Sequence, residues 1–231
     1  MSLRRAAAWS LLDQVLLSAL HFGVGLAVLR LSDKSDYGAY VIGWSVLMLL
    51  TGLQNAFITT QMTLRTTGLP EGQRRSLQAS FLAGQFLLYA PLALAVLLSA
   101  ALCAWVFPGL QKPAAMAAAV VVSFAGISLR EFARSSEFAA GNAKHVLLID
   151  AVYAAVLAFL TLACALWMPA PHLGLAALLA LGAASLIAAL PSVIPHWPWR
   201  AGYQTLRANS HNALWSAGGV AVTHFQSQAN R

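Results

Sequence analysis

Apolar residues run through this chain in long blocks separated by short polar links, and the blocks predict its architecture. The first block, 6–29, reads AAAWSLLDQVLLSALHFGVGLAVL and follows Arg4 and Arg5. A helix of about 20 apolar residues crosses a bilayer, so this block is long enough to span. Blocks at 37–62, 78–106, 113–129, 146–168 and 173–190 predict five further spans. The links at 31–36, 63–77, 107–113, 130–145, 169–172 and 191–212 hold most of the charge and most of the prolines. Pro91, inside the third block, is expected to kink its helix. A seventh block opens at 213 and is still running at Arg231, so a truncated chain or a fragment is expected.

Several blocks are amphipathic. In the first, Ser10, Gln14, Ser18, His21 and Gly25 recur at three- and four-residue steps and share an arc of roughly 80°, with Asp13 at its edge. In the second, Tyr37, Trp44, Met48, Thr51, Asn55, Thr59 and Met62 fall on one side. In the last, Ser216, Gly219, Thr223, Gln226 and Asn230 line one face, and Leu214-Trp215-Ser216 echoes Ala8-Trp9-Ser10. Lipid cannot satisfy such stripes, so they are expected to face other helices or a watery cavity. The echo divides the chain into a six-helix lobe at 1–207 and the start of a second, parallel lobe at 208–231.

Composition agrees. The chain is 59% hydrophobic and 9% charged, against about 25% charged in soluble domains. The fold class expected is an all-α polytopic membrane protein. The net charge of +7 is spread singly between apolar blocks, which argues against nucleic acid as a partner and for a topological role. With the N-terminus cytoplasmic, the N-terminal tail and the inside links hold ten basic residues, and the outside links, with Arg30 at their edge, hold three, the bias expected of inside loops. Cys103 and Cys164 lie within apolar blocks without metal-ligand spacing, so neither a metal nor a cofactor is expected. The seven acids are dispersed and form no catalytic pair, so an enzyme is not the expectation.

Three tracts together carry a family resemblance: AAAWSLLDQVLLSALHFGVGLAVLR, DYGAYVIGWSVLMLLTGLQNAFI and LREFARSSEFAAGNAKHVLLID. The matching features are Trp9-Ser10 with Asp13-Gln14, Asp36-Tyr37-Gly38, and Gly52-Leu53-Gln54. The third tract adds Arg130-Glu131-Phe132 with Arg134, Phe138-Ala139, Gly141 and Asp150. In order and spacing they resemble the polysaccharide-exporter branch of the multidrug/oligosaccharidyl-lipid/polysaccharide superfamily, which includes bacterial O-antigen and exopolysaccharide flippases. The resemblance implies a MATE-like fold of two six-helix lobes around a central cavity. It implies a multi-pass protein of the bacterial inner membrane that exports lipid-linked oligosaccharide or polysaccharide precursors by alternating access. Membrane lipids and the lipid-linked glycan are the implied partners, with a coupling ion and a second half or C-terminal lobe beside them. A multidrug/cation antiporter of the same fold and a non-transporting half-protein are the alternatives.

The residues proposed for the transport pathway are Asp13, Gln14, Ser18, His21, Asn55, Thr59, Thr223 and Gln226. Each has a plainer reading. Asp13 serves as a cavity contact or ion-coupling group, or as a carboxylate neutralised by Arg4, Arg5 or headgroups. His21 is a proton relay or a packed, hydrogen-bonded imidazole. Asn55 and Thr59 are substrate ligands or helix–helix glue. Arg130 and Arg134 match a diphosphate in bidentate geometry, or simply pair with Glu131, Glu137 or Asp150. Because the fourth helix is expected to stop near 129, these arginines fall in a link and no Lys or Arg lies mid-span.

Overall fold

A computed structural model describes residues 3–107 and 113–192, together with 207, 208, 216 and 219. The described residues form helices joined by short turns, with no strand among them, and the long apolar blocks are the helices. They are α1 (Leu3–Leu31), α2 (Lys34–Gln54), α3 (Thr60–Thr66), α4 (Glu71–Val106), α5 (Pro113–Ala139), α6 (Ala143–Trp167) and α7 (Leu173–Ala189). A π-helical turn, Asn55–Thr59, joins α2 to α3 without a break, so both belong to one rod. Six segments are long and apolar enough to cross a membrane: Ala8–Leu31, Lys34–Thr66, Glu71–Val106, Pro113–Ala139, Ala143–Trp167 and Ala170–Ser192. This supports a multi-pass helical membrane protein.

The helix ends follow local chemistry. Asp33 caps α2, its Oδ1 accepting the Asp36 amide at 2.7 Å. At the end of α5, Gly141 takes φ +76°, and the Asn142 amide reaches back to the Glu137 carbonyl at 2.9 Å. That six-residue loop closes the helix as a Schellman turn, which needs a left-handed residue where Gly141 stands. α4 runs through Pro91 as one continuous element.

α5 and α7 form the centre. Ser123 donates its hydroxyl to the Leu178 carbonyl at 2.7 Å. Beside it, a Cβ on Gly126 would strike the backbone of Gly182, and one on Gly182 would strike Ser123. In lipid there is no hydrophobic gain from pressing two helices together, so small residues that bring backbones into contact hold them by dispersion. α1, α2 and α6 pack around this pair in a core that includes Val28, Leu47, Phe124, Tyr153, Leu157 and Leu181. α4 leans on the outside, tied by Tyr89, whose hydroxyl donates to the Val121 carbonyl at 2.8 Å and whose ring stacks on Phe124. A second cluster, Ile58, Met62, Phe81, Leu82 and Phe132, fills the space between the π turn, α3, α4 and α5.

One expectation needs correction. α5 does not stop near 129 but continues to Ala139. Arg130, Glu131 and Arg134 are therefore helical, and Arg130 is 4% exposed. The lobe does carry arginines inside a span. The reason is tertiary: carboxylates from α1 and α6 meet these guanidiniums, so the helix continues where charge alone suggested a link. In the second span the π turn adds one residue and rotates the register, and Met62 packs into the second core cluster against other helices.

Candidate functional site

The site is built where α1, α5 and α6 converge near one end of the lobe. Asp13 lies five residues past the start of the span Ala8–Leu31, roughly 8 Å along the axis at 1.5 Å per residue. Asp150 lies seven residues past Ala143, roughly 10 Å in. α5 enters from the opposite direction and places Arg134 at the same depth. A single guanidinium then joins three helices. Arg134 donates Nε to Asp150 Oδ2 at 2.6 Å and Nη2 to Asp13 Oδ2 at 3.0 Å. Its Nη1 meets Glu131 Oε1 and Oε2 at 3.1 and 3.0 Å. This uses the planar fork of an arginine on every side, an arrangement a lysine could not reproduce.

Arg130, one turn earlier, donates Nη2 to Glu131 Oε1 at 3.1 Å and holds Nε 3.7 Å from Asp150 Oδ1. Its Cζ sits 3.6 Å above the Tyr153 ring, a cation–π contact strengthened by burial. The Tyr153 hydroxyl is 2.9 Å from His21 Nε2, and His21 meets Trp44 edge-to-face with centroids 5.2 Å apart. One connected chain of polar groups thus runs from Asp13 through both arginines to His21 on α1 and Trp44 on α2.

Among the described residues the cluster is not electrically neutral: Asp13, Glu131 and Asp150 face Arg130 and Arg134, leaving one surplus negative charge when all are ionised. Asp13 Oδ1 and Asp150 Oδ1 are buried and accept no hydrogen bond from the described residues. Both carboxylates share the Arg134 guanidinium through their other oxygens. An added proton or monovalent cation would balance the charge. Among the described residues, no three His, Cys, Asp or Glu side chains are grouped to hold a metal.

The cluster opens sideways. Arg134 and Glu131 form one wall of a groove of about 450 Å³; Asn55, Thr59, Thr60, Thr63 and Ser135 supply amide and hydroxyl groups around it, and Leu64 and Phe138 add apolar surface. The π turn shapes this wall. Thr59 donates its hydroxyl to Asn55 Oδ1 at 2.8 Å, a pairing that sets the amide's orientation. π-helical turns are frequent at functional sites, and sequence periodicity gave no sign of this one.

The expected residues therefore separate into groups. Asp13, His21, Arg130 and Arg134 join one network. Asn55 and Thr59 join it through the groove. Gln14 and Ser18 are exposed on the surface of α1, beside its packed face of Asp13, Leu17, Val24 and Val28. Thr223 and Gln226 lie outside the described residues, as does most of the expected second lobe, 208–231. The pairing of Arg130 and Arg134 with Glu131 and Asp150 is observed, whereas Glu137 pairs with His145 at 3.3 Å. Sequence reasoning did not single out Tyr153 or give Glu131 its own role. Their position one helical turn or less from Asp150 and Arg130 was the available signal. No family model, curated protein or solved structure matches the chain.

Proposed function

We propose that the chain is a lobe of an inner-membrane transporter that moves lipid-linked oligosaccharide or polysaccharide precursors across the bilayer by alternating access, working opposite a second lobe. The observation that carries this reading is the Asp13–Arg134–Asp150 junction buried among three membrane helices. Ionisable residues inside spans are costly and concentrate along substrate and ion paths. A junction serving only to hold helices together would favour balanced charge and closure. This one has a carboxylate in excess and a hydroxyl-rich groove beside it. Hydroxyl and amide side chains are the natural partners of sugar hydroxyls, and Arg134 on the groove wall offers a guanidinium to a phosphate linkage.

The surplus carboxylate supports an ion-coupled mechanism. A proton or monovalent cation held between Asp13 and Asp150 neutralises the junction and loosens their hold on Arg134. That frees donors of Arg134 for an anionic substrate. Release of the substrate restores the ion pairs and closes the cycle. The same charge excess favours a cation-coupled antiporter as the second reading, and the groove's hydroxyl lining is what favours a sugar cargo.

The test is Asp13→Asn in cells whose glycan export depends on this protein. Asparagine removes the surplus charge and leaves Arg134 two carboxylate partners, so membrane insertion and folding should persist. Export is expected to fall at least about tenfold, the equivalent of one charge-assisted interaction. Wild-type export at equal protein level would contradict the reading.

A further inference from the structure

A second concavity lies at the same end of the lobe, away from the charged junction. It has a volume of about 930 Å³ and runs between the first turns of α4 and the last turns of α5, ending at the start of α6 and at Pro191-Ser192. That volume is within the range of about 300–1,000 Å³ typical of small-molecule sites. Span ends Glu71, Ala139, Ala143 and Ser192 converge around it. The groove therefore sits where apolar rods give way to polar links, at the depth of lipid headgroups.

Its chemistry changes with depth. The floor is apolar and buried, formed by Ala79, Leu82 and Phe132. The rim is charged with both signs. Arg75 is taken by Glu71 in an exposed pair. Arg74 makes no side-chain ion pair or hydrogen bond with the described residues, and it borders the groove. Across from it, Glu137 is held through one oxygen only: Oε2 accepts from Asn142 Nδ2 at 2.9 Å and lies 3.3 Å from His145 Nδ1. Glu137 Oε1 has no partner among the described residues. The rim thus presents one uncommitted cation and one half-committed carboxylate above a greasy floor.

We propose that this groove binds a zwitterionic glycerophospholipid with a primary-amine headgroup, its phosphate on Arg74 and its ammonium on Glu137. A guanidinium donates to phosphate oxygens in a forked geometry. A primary ammonium donates three hydrogen bonds, and a quaternary ammonium of the same charge donates none. An anionic headgroup would leave Glu137 facing a like charge. Basic pockets between helices at the membrane edge bind acidic lipids; the mixed signs here select for a headgroup that carries both. The acyl chains would lie along Leu82 and Phe132. This inference is independent of the transport reading and concerns a different surface.

Native mass spectrometry of the detergent-released chain tests it directly, with equimolar phosphatidylethanolamine, phosphatidylcholine and phosphatidylglycerol added. Phosphatidylethanolamine adducts should exceed phosphatidylcholine adducts by about tenfold, one or two charge-assisted hydrogen bonds' worth. Glu137→Gln should bring the two to similar levels, and Arg74→Gln should lower all three lipids together. Arg65→Gln, exposed on α3 and outside the groove, should leave the wild-type pattern. The first comparison needs no variant, so it stands even if a substitution fails to fold. Equal ethanolamine and choline binding, preference for phosphatidylglycerol, a preference that survives Glu137→Gln, or no retained lipid would each overturn the proposal.

Discussion

Arg134 has carboxylate partners on three helices, and its loss would leave Asp13, Glu131 and Asp150 with only Arg130 among them. Breaking a buried pair by removing one partner costs about 3–5 kcal/mol, because the remaining charge stays desolvated. Arg134→Met is therefore expected to lower unfolding stability in detergent by about 3 kcal/mol. The Arg75–Glu71 pair is a useful contrast, since its side chains are 64% and 61% exposed. Surface pairs contribute about 0–1 kcal/mol, so Arg75→Ala should shift stability by less than about 0.5 kcal/mol. Thermal or denaturant unfolding of the two variants checks the difference, and equal shifts would deny Arg134 its role as the hub. The same comparison bears on Asp13. As an acid inside a predicted span it was conspicuous in the sequence, but its partner was not. Arg134 is 121 positions away, and no periodicity connects residues at that separation.

At the scale of elements, the α5–α7 contact carries the packing. Gly182 has no room for a Cβ against Ser123, whereas Gly23 on α1 has nothing near it. Gly182→Leu should force the two backbones apart and cost roughly 1–3 kcal/mol from overpacking. Gly23→Leu should be close to neutral. Unfolding curves of the pair test this, and a neutral Gly182→Leu would mean that close backbone contact is not what holds the centre. Six spans were legible in the sequence because each is an apolar run longer than 16 residues, a signal that depends on composition alone. Three features were not. α5 extends across Arg130 to Ala139, because its charges are neutralised from α1 and α6. α4 begins at Glu71 rather than 78, its polar first turns bordering the second groove. The π turn at Asn55–Thr59 depends on one inserted residue that leaves no mark on an otherwise helical pattern. Each is set by contacts between elements, which local patterns do not encode.

For the whole molecule, the helices gather much of the polar chemistry into two places at one end. One is the charged junction with its hydroxyl-lined groove; the other is the mixed-sign groove between α4 and α5. Much of the remaining described surface is apolar, with Leu98, Trp105, Val122, Phe159 and Trp167 among its exposed side chains, as a lipid-facing exterior requires. The transport reading holds together only if the first groove is wet. A junction of five charges sealed from water would serve as a structural brace, and Asp13 would have no route to an ion.

Water access to that groove is the most direct measurement. Single cysteines at Asn55, Thr60 and Ser135 would be placed in a background lacking Cys103 and Cys164, with matched cysteines at Val122 and Phe159 on the apolar exterior. Labelling in membranes with a small, charged maleimide or methanethiosulfonate reports which positions meet water. The account predicts rapid labelling at the three groove positions, little at the exterior ones, and slowed labelling of the groove when the lipid-linked glycan is present. Unreactive groove cysteines, or groove and exterior positions labelled alike, would contradict it.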